Sequence, residues 1–302
     1  MNKVDLIYNN LIKEINENGI WDKDENVRTK YTDGSPAYTK SIIGKQIVFE
    51  ADDIPLVTTK YVAWRSAIAE AWWIWFMRSN KVEDLRQLGS KVWNEWEQSD
   101  GTIGKAYAYQ LAKPVRKSEL QVKFGEFSHS THTYRCKLNQ VDYLIKQLKE
   151  NKSSRRLVTS LWNIDDLDCM ALEPCVWSQQ WIVQDGKLNL IVNQRSADAA
   201  LGVCFNWWQY KIIQMIIATL TDLEVGRLVW NFGHLHYYDR HEELLLKQIE
   251  GITHEPPKVI MPSRQELEYY IYVQNPTKDD LHSMFNLENY NHNGKFSYEV
   301  AI

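Results

Sequence analysis

Apolar residues recur every three or four positions over residues 5–18, at Leu6, Ile7, Leu11, Ile12 and Ile15, and that period predicts an amphipathic helix. Residues 41–50 alternate as a half-buried strand does, and 54–60 form a short extended run leading into a helix. Over 63–78 the chain is apolar around most of the helical circumference, which predicts a core helix. Residues 206–220 repeat that pattern and predict another. Further helices are expected over 141–150 and 239–248. Strands are expected over 157–162, 177–184, 187–194 and 227–236, with late strands over 256–260 and 266–273. Asp185-Gly186 is the strongest hairpin signal, because a two-residue turn needs positive φ at both positions. Residues 26–39 are polar and punctuated by Gly and Pro, hence a loop, and they carry Arg28. Residues 100–112 and 129–136 read as irregular, with an insertion around 128–134. No linker, repeat or low-complexity run divides the chain, so the pattern predicts one α/β domain over residues 1–302.

Composition bears on partners more than on fold. Thirteen Trp and sixteen Tyr imply bulky aromatic packing or a flat ligand to stack against. A net charge of −4 counts against nonspecific nucleic-acid binding and leaves room for local basic pockets. The four cysteines show neither a CxxC pair nor metal-ligand spacing, so no metal is expected. With no signal-peptide pattern, they suggest a reduced, cytoplasmic chain. The apolar stretches 67–77 and 212–220 are too short to span a membrane.

The candidate chemistry begins at Cys175, one hairpin ahead of Arg195-Ser196 and Asp198. A thiol attacks as thiolate, and a guanidinium nearby lowers its pKa; the ordinary alternative is a buried structural cysteine. Glu70 stands among Ala67, Ile68, Ala69, Ala71, Trp72 and Trp73, where desolvation raises a carboxylate's pKa. It reads as a proton donor or acceptor, or as a structural acceptor for a backbone or Trp N–H. Arg155 and Arg156 before a strand, with Arg195 and Ser196, suit a phosphate, although an isolated Arg pair is usually a solvated turn. His236 and Tyr238 lie two apart at a strand end and share one face. His234 and His241 raise the question of a metal, which the spacing does not support. Asn206 reads either as a helix N-cap or as an amide able to meet the O4/N3–H edge of a uracil.

Several ordered motifs resemble the thymidylate synthase family over most of the chain. They are Pro55-Leu56-Val57-Thr58-Thr59-Lys60 with Arg65-Ser66 and Glu70; Trp93-Asn94-Glu95-Trp96 with Gly101, Gly104 and Tyr107; and Ser154-Arg155-Arg156. Pro174-Cys175, Gln194-Arg195-Ser196-Ala197-Asp198, Leu201-Gly202, Phe205-Asn206, His236-Tyr237-Tyr238 and the terminal Val300-Ala301-Ile302 complete the set. The resemblance implies a single α/β (α+β) domain whose large mixed sheet packs against core helices and forms the interface of a homodimer. It implies that Cys175 adds to C6 of dUMP and that C5 takes a one-carbon unit from 5,10-methylenetetrahydrofolate. By the same resemblance Glu70, Tyr107 and Arg195 join Cys175 in catalysis. Arg28, Arg195 and Ser196 hold the phosphate, with Arg155 and Arg156 lent by the partner subunit. Asn206 reads the base, His236 and Tyr238 meet the sugar hydroxyl, and Gln194 is a further substrate-binding residue. Trp93, Trp96, Asp198, Gly202 and Ala301 fall on the folate side.

Some positions depart from the majority pattern. Most synthases have His where this chain has Val176. Asn193 and the run Trp230-Asn231-Phe232-Gly233-His234-Leu235-His236 are also unusual. These stretches look more like phage nucleotide hydroxymethylases of the same superfamily, in which water completes the reaction. Cytosine-specific members carry Asp in place of Asn206, so the expected substrate is dUMP. The expectation is therefore a dUMP hydroxymethylase. Thymidylate synthase is the alternative, favoured by Trp96 and the C-terminal tail. More distant are a dCMP-type enzyme and a nucleic-acid-binding relative that stacks bases on residues 63–76 and Trp207-Trp208.

Overall fold

The computed structural model describes residues 2–123 and 131–302. The chain runs through α1 (Lys3–Asn18), β1 (Ile20–Trp21), β2 (Thr39–Phe49), α2 (Trp64–Trp72), α3 (Val82–Gln87) and α4 (Ala108–Ala112). Next come β3 (Arg116–Lys123), β4 (Thr131–Leu138), α5 (Gln140–Glu150), β5 (Val158–Ser160), β6 (Val176–Gln184) and β7 (Lys187–Asp198). Then follow α6 (Gly202–Leu220), β8 (Glu224–Tyr238), α7 (Glu242–Ile249), β9 (Lys258–Ile260), α8 (Arg264–Tyr272), α9 (Lys278–Met284) and β10 (Asn286–Glu288).

Six strands form one mixed sheet in the order β1-β2-β8-β7-β6-β5. Every pairing is antiparallel except β7 with β8. A parallel pair needs a crossover, and α6 supplies it, buried around most of its circumference as its apolar pattern predicts. One of its buried polar residues is put to use. Gln214 Nε2 donates to the carbonyls of Leu188, Gly226 and Arg227, beside the register shift between Leu188 and Leu190. A bulge leaves carbonyls without ladder partners, and a buried amide is what can reach them. Trp208 Nε1 then ties α6 to α2 through the Trp64 carbonyl at 3.2 Å.

Burial alternates along β7. Leu190, Val192 and Gln194 are buried against the helices, while Ile191 and Asn193 are half-buried on the other face. That second face carries a polar ladder. Gln46 donates to Asn231 at 2.7 Å, Asn231 to Asn193 at 3.0 Å, and Asn193 to the Ser178 hydroxyl at 3.0 Å. Each is the direct cross-strand partner of the next, from β2 through β8 and β7 to β6.

Four expectations change. Residues 266–273 are helical, not a strand: Ser263 and Glu266 form a capping box that starts α8. Of the stretch expected to be irregular over 129–136, residues 131–136 belong to β4, which pairs with β3; His129 and Ser130, like 128 of the proposed insertion, lie outside the described residues. The core helix over 63–78 is α-helical only to Trp72, continues as a π-turn over Trp73–Met77, and stops at Arg78 with φ 53°. The irregular segment 100–112 ends in α4.

Gly104 closes the segment leading to α4 onto the chain near residue 170. Its φ is +64°, and a Cβ there would lie 2.1 Å from the Cys169 carbonyl oxygen. Gly34 also has positive φ, +81°, but has open space around it. Gly34→Ala is expected to cost only the conformational share, about 1 kcal/mol. Gly104→Ala adds a backbone clash and is expected to cost about 2–3 kcal/mol. Thermal melting of the two variants checks this; equal losses would remove the close approach as the cause.

Candidate active site

Cys175 sits in the turn entering β6. Its carbonyl accepts the Arg195 backbone N–H at 2.8 Å, so β7 is joined to the turn at this point. The Arg195 guanidinium is strapped beneath the same turn, donating to the carbonyls of Pro174 at 3.1 Å and Glu173 at 2.8 Å. The Cys175 backbone N–H donates to the Tyr107 hydroxyl at 3.0 Å. Tyr107 holds φ 38° and ψ −95°, an unfavourable backbone for a residue with a side chain, and its ring lies 5.3 Å from that of Trp93.

The expectation that a nearby guanidinium lowers the Cys175 pKa holds only in part, because burial acts more strongly. Burial pushes the thiol's pKa up; the Arg195 charge and the Tyr107 hydroxyl pull it back only in part, and Asp198 adds to the rise. The resting group is a thiol, and its activation requires removal of a proton.

Glu70 is buried on α2, and burial raises its pKa to about 7. Hydrogen bonds from Trp93 and Gln209 lower it in part; Trp93 Nε1 lies 2.5 Å from Oε1. The proton-transfer and Trp-acceptor readings of this residue are therefore compatible, since an acid half-ionised near neutrality still accepts from an indole.

Asn206 is not an N-cap, because α6 begins at Gly202. Its side chain accepts from Gln194 Nε2 at 3.3 Å and donates to Gln209 Oε1 at 3.4 Å. Asp198 ends β7, and its Oδ1 accepts the backbone N–H groups of Ala200 at 2.8 Å and Leu201 at 3.3 Å, shaping the turn into Gly202. The same carboxylate lies 4.0 Å from His241 Nδ1, a buried atom without a hydrogen bond among the described residues. His236 is buried and burial lowers its pKa to about 4, so it is neutral at pH 7. Its Nδ1 lies 3.1 Å from His234 Nδ1, and its ring packs edge-on against Tyr238 at 5.3 Å. Ser196 is the β-partner of His234.

Four groups stand further out. Arg28 is exposed, but its charge reaches Tyr238, which also feels Cys175. The tail is folded onto the loop carrying Arg28: Ile302 and Lys30 exchange both backbone hydrogen bonds, at 2.8 and 2.9 Å, next to Ala301. Arg240 ties Glu299 of the tail to Asp33 of the loop. Arg155 and Arg156 are exposed ahead of β5, near Gln180 and Trp181, and do not join Cys175 at the other end of β6. Trp96 is half-buried against Trp93 at 5.6 Å.

A hollow of about 280 Å³ beside Arg195 is walled by Trp162 and Trp177. A larger one, about 1560 Å³, lies between the β3–β4 hairpin and α5, away from all these residues. The described residues hold no group of three or more His, Cys, Asp or Glu side chains placed for a metal, and no helix long and apolar enough to cross a membrane. Gln209 and Arg240 were not marked by the sequence reading, and Trp230 was marked only as part of an unusual run. Gln209 carried the same signal as Glu70, a polar residue inside an apolar helix.

Residues 6–302 match the thymidylate synthase family. The chain belongs to the thymidylate synthase family. It is similar end to end to thymidylate synthase of Bacillus mojavensis, 45% identical over 303 residues and covering 100% of both chains. Thymidylate synthase 1 of Bacillus subtilis strain 168 gives the same figures, and thymidylate synthase of Fusobacterium nucleatum is 38% identical over 302 residues, 99% of each. The fold matches the solved thermostable thymidylate synthase A from Bacillus subtilis with a TM-score of 0.85 at 44% identity, covering 99% of each chain.

These relatives overturn the expectation of a phage-type dUMP hydroxymethylase. The departures that suggested it have another physical account within this thymidylate synthase fold. Asn193 and Asn231 build the polar ladder on the face of the sheet away from the helices, opposite Gln194 and Trp230. Val176 is a buried core residue.

Glu70 also sets a pH dependence of stability. Its folded pKa of about 7 lies above the ordinary carboxylate value, so the acid is accommodated at low pH and must ionise in an apolar site at high pH. Its contribution is fully present below about pH 4.5 and is lost as pH rises through 7, by about 3 kcal/mol at pH 8. Glu70→Gln is expected to melt higher than the wild type at pH 8 and to show little of that decline. Parallel melting curves at pH 5 and pH 8 would sink this if the gap did not widen.

Proposed function

We propose that the protein is a thymidylate synthase, converting dUMP to dTMP with 5,10-methylenetetrahydrofolate as co-substrate. The observation that carries the reading is the seat of Cys175 between Arg195 and Tyr107, in a chain 45% identical end to end to thymidylate synthases. Cys175 Sγ loses its proton and bonds to C6 of the pyrimidine, which makes C5 nucleophilic. The folate supplies the one-carbon unit and, by hydride transfer, the electrons that reduce it to a methyl group. Glu70, poised near neutrality, moves protons around the ring. Release of the C5 proton and breaking of the Cys175–C6 bond return the enzyme to its starting state.

Around that centre Arg28, Arg195 and Ser196 hold the phosphate, Asn206 with Gln194 meets the base, and neutral His236 with Tyr238 meets the sugar hydroxyl. Trp93, Trp96, Gly202 and Ala301 flank the folate, and Asp198 contacts it. Asp198 fits that part: its side chain is 20% exposed, and among the described residues Oδ2 has no hydrogen bond. A second copy of the chain covers the half-buried sheet face and lends Arg155 and Arg156 to the phosphate. In support of this, both arginines are exposed and remote from Cys175 of their own chain.

Incubation with dUMP and 5,10-methylenetetrahydrofolate is expected to give dTMP and dihydrofolate, followed by the absorbance of the latter. Cys175→Ser is expected to abolish turnover, and Glu70→Gln to lower kcat by roughly 10²–10⁴-fold. Absence of any 5-substituted product, or full activity in Cys175→Ser, would defeat the reading. Mixing Cys175→Ser with Arg156→Glu subunits is expected to restore part of the activity both lack alone, because exchange makes one site with both residues. No recovery after subunit exchange would count against the lent arginines.

A further inference from the structure

A line of side chains links β8 to α2 behind the position assigned to the pyrimidine. At one end the fully buried Trp230 indole donates from Nε1 to Gln194 Oε1 at 2.9 Å. Gln194 Nε2 donates to Asn206 Oδ1 at 3.3 Å, and Asn206 Nδ2 donates to Gln209 Oε1 at 3.4 Å. The Gln209 side chain stabilises the Glu70 carboxylate at the other end. An indole N–H only donates, and an ionised carboxylate only accepts. The three amides between them therefore all face one way. With a donor fixed at Trp230, Gln194 turns its oxygen there and its nitrogen to Asn206, and the order passes down the line.

We propose that Trp230 is a positioning residue for substrate choice: its N–H, acting through Gln194, fixes which way the Asn206 amide faces and so which pyrimidine edge is accepted. The inference rests on the reading of Asn206 as the residue that meets the base. Asn206 is half-buried. After its bonds to Gln194 and Gln209 it keeps one Nδ2 hydrogen and one Oδ1 lone pair, which suit O4 and N3–H of uracil. Cytosine reverses both groups and requires the amide turned over. Turning it sets Asn206 Nδ2 against Gln194 Nε2, donor against donor, and a buried donor left without an acceptor is costly. Trp230 acts without reaching the base.

The test is the ratio of dissociation constants for dUMP and dCMP, measured by calorimetry on the wild type, Trp230→Phe and Gln194→Glu. Trp230→Phe keeps an aromatic ring but loses the N–H, frees Gln194 to turn, and is expected to lower the preference for dUMP by roughly 10–100-fold. Gln194→Glu is nearly isosteric and presents only acceptors. It still takes the Trp230 N–H but draws Asn206 Nδ2 towards itself, turning the amide, and is expected to move the preference towards dCMP. A merely structural role would weaken both ligands together and leave the ratio unchanged. Failure of the wild type to bind dUMP would refute the reading of Asn206 itself. Wild-type dUMP binding with an unaltered ratio in both variants would overturn the role of Trp230 alone.

Discussion

The parallel pairing of β7 with β8 is the constraint from which the rest of the structure follows. Two strands that run the same way cannot be joined by a turn, so α6 must carry the chain back across the sheet. The start of α6 and the ends of β7 and β8 then meet at one edge of the fold. Gln194 to Asp198, Gly202 to Asn206 and His234 to Tyr238 are brought together by that single topological choice. The end of parallel strands is where backbone groups and loops are free to meet a ligand. Cys175 enters from the neighbouring antiparallel strand, β6.

Desolvation acts twice at this edge, in the same sense. Cys175 and Glu70 are both driven towards their neutral forms by burial, and both are partly relieved by donors aimed at them. A site that rests neutral keeps little unpaired charge out of water, which matters because a buried lone ion is expensive. Neutral His236 belongs to the same pattern, since burial strips it of the proton it would carry in water below pH 6.

Much of this was legible in the sequence, for reasons that differ by element. The period-3.6 patterns of α1 and α6 and the Asp185-Gly186 turn are local signals, and they appear nearly where expected. Glu70 stood out because a carboxylate among tryptophans is anomalous wherever it lies. The strand expected over 266–273 failed because its aromatic run outweighed the capping signal Ser263 and Glu266 had already given. The line of side chains from Trp230 to Asn206 was hidden for a different reason. Trp230 and Gln194 lie far apart along the chain and face each other only across a parallel pair, which no periodicity reveals. The reading of the departures at Asn193 and Asn231 went wrong because sequence alone does not tell which face of a sheet a residue occupies.

The ladder from Gln46 to Ser178 has a consequence for how the strands find their places. It closes only when strands from separate parts of the chain are all in register. A slip of one residue would turn amides towards the helices and apolar side chains away from them. The face carrying the ladder thus gauges its own alignment, scoring the long-range pairing of β2, β8, β7 and β6 independently of the hydrophobic core. Apolar positions around the ladder are left freer to drift, because correct pairing no longer depends on them alone.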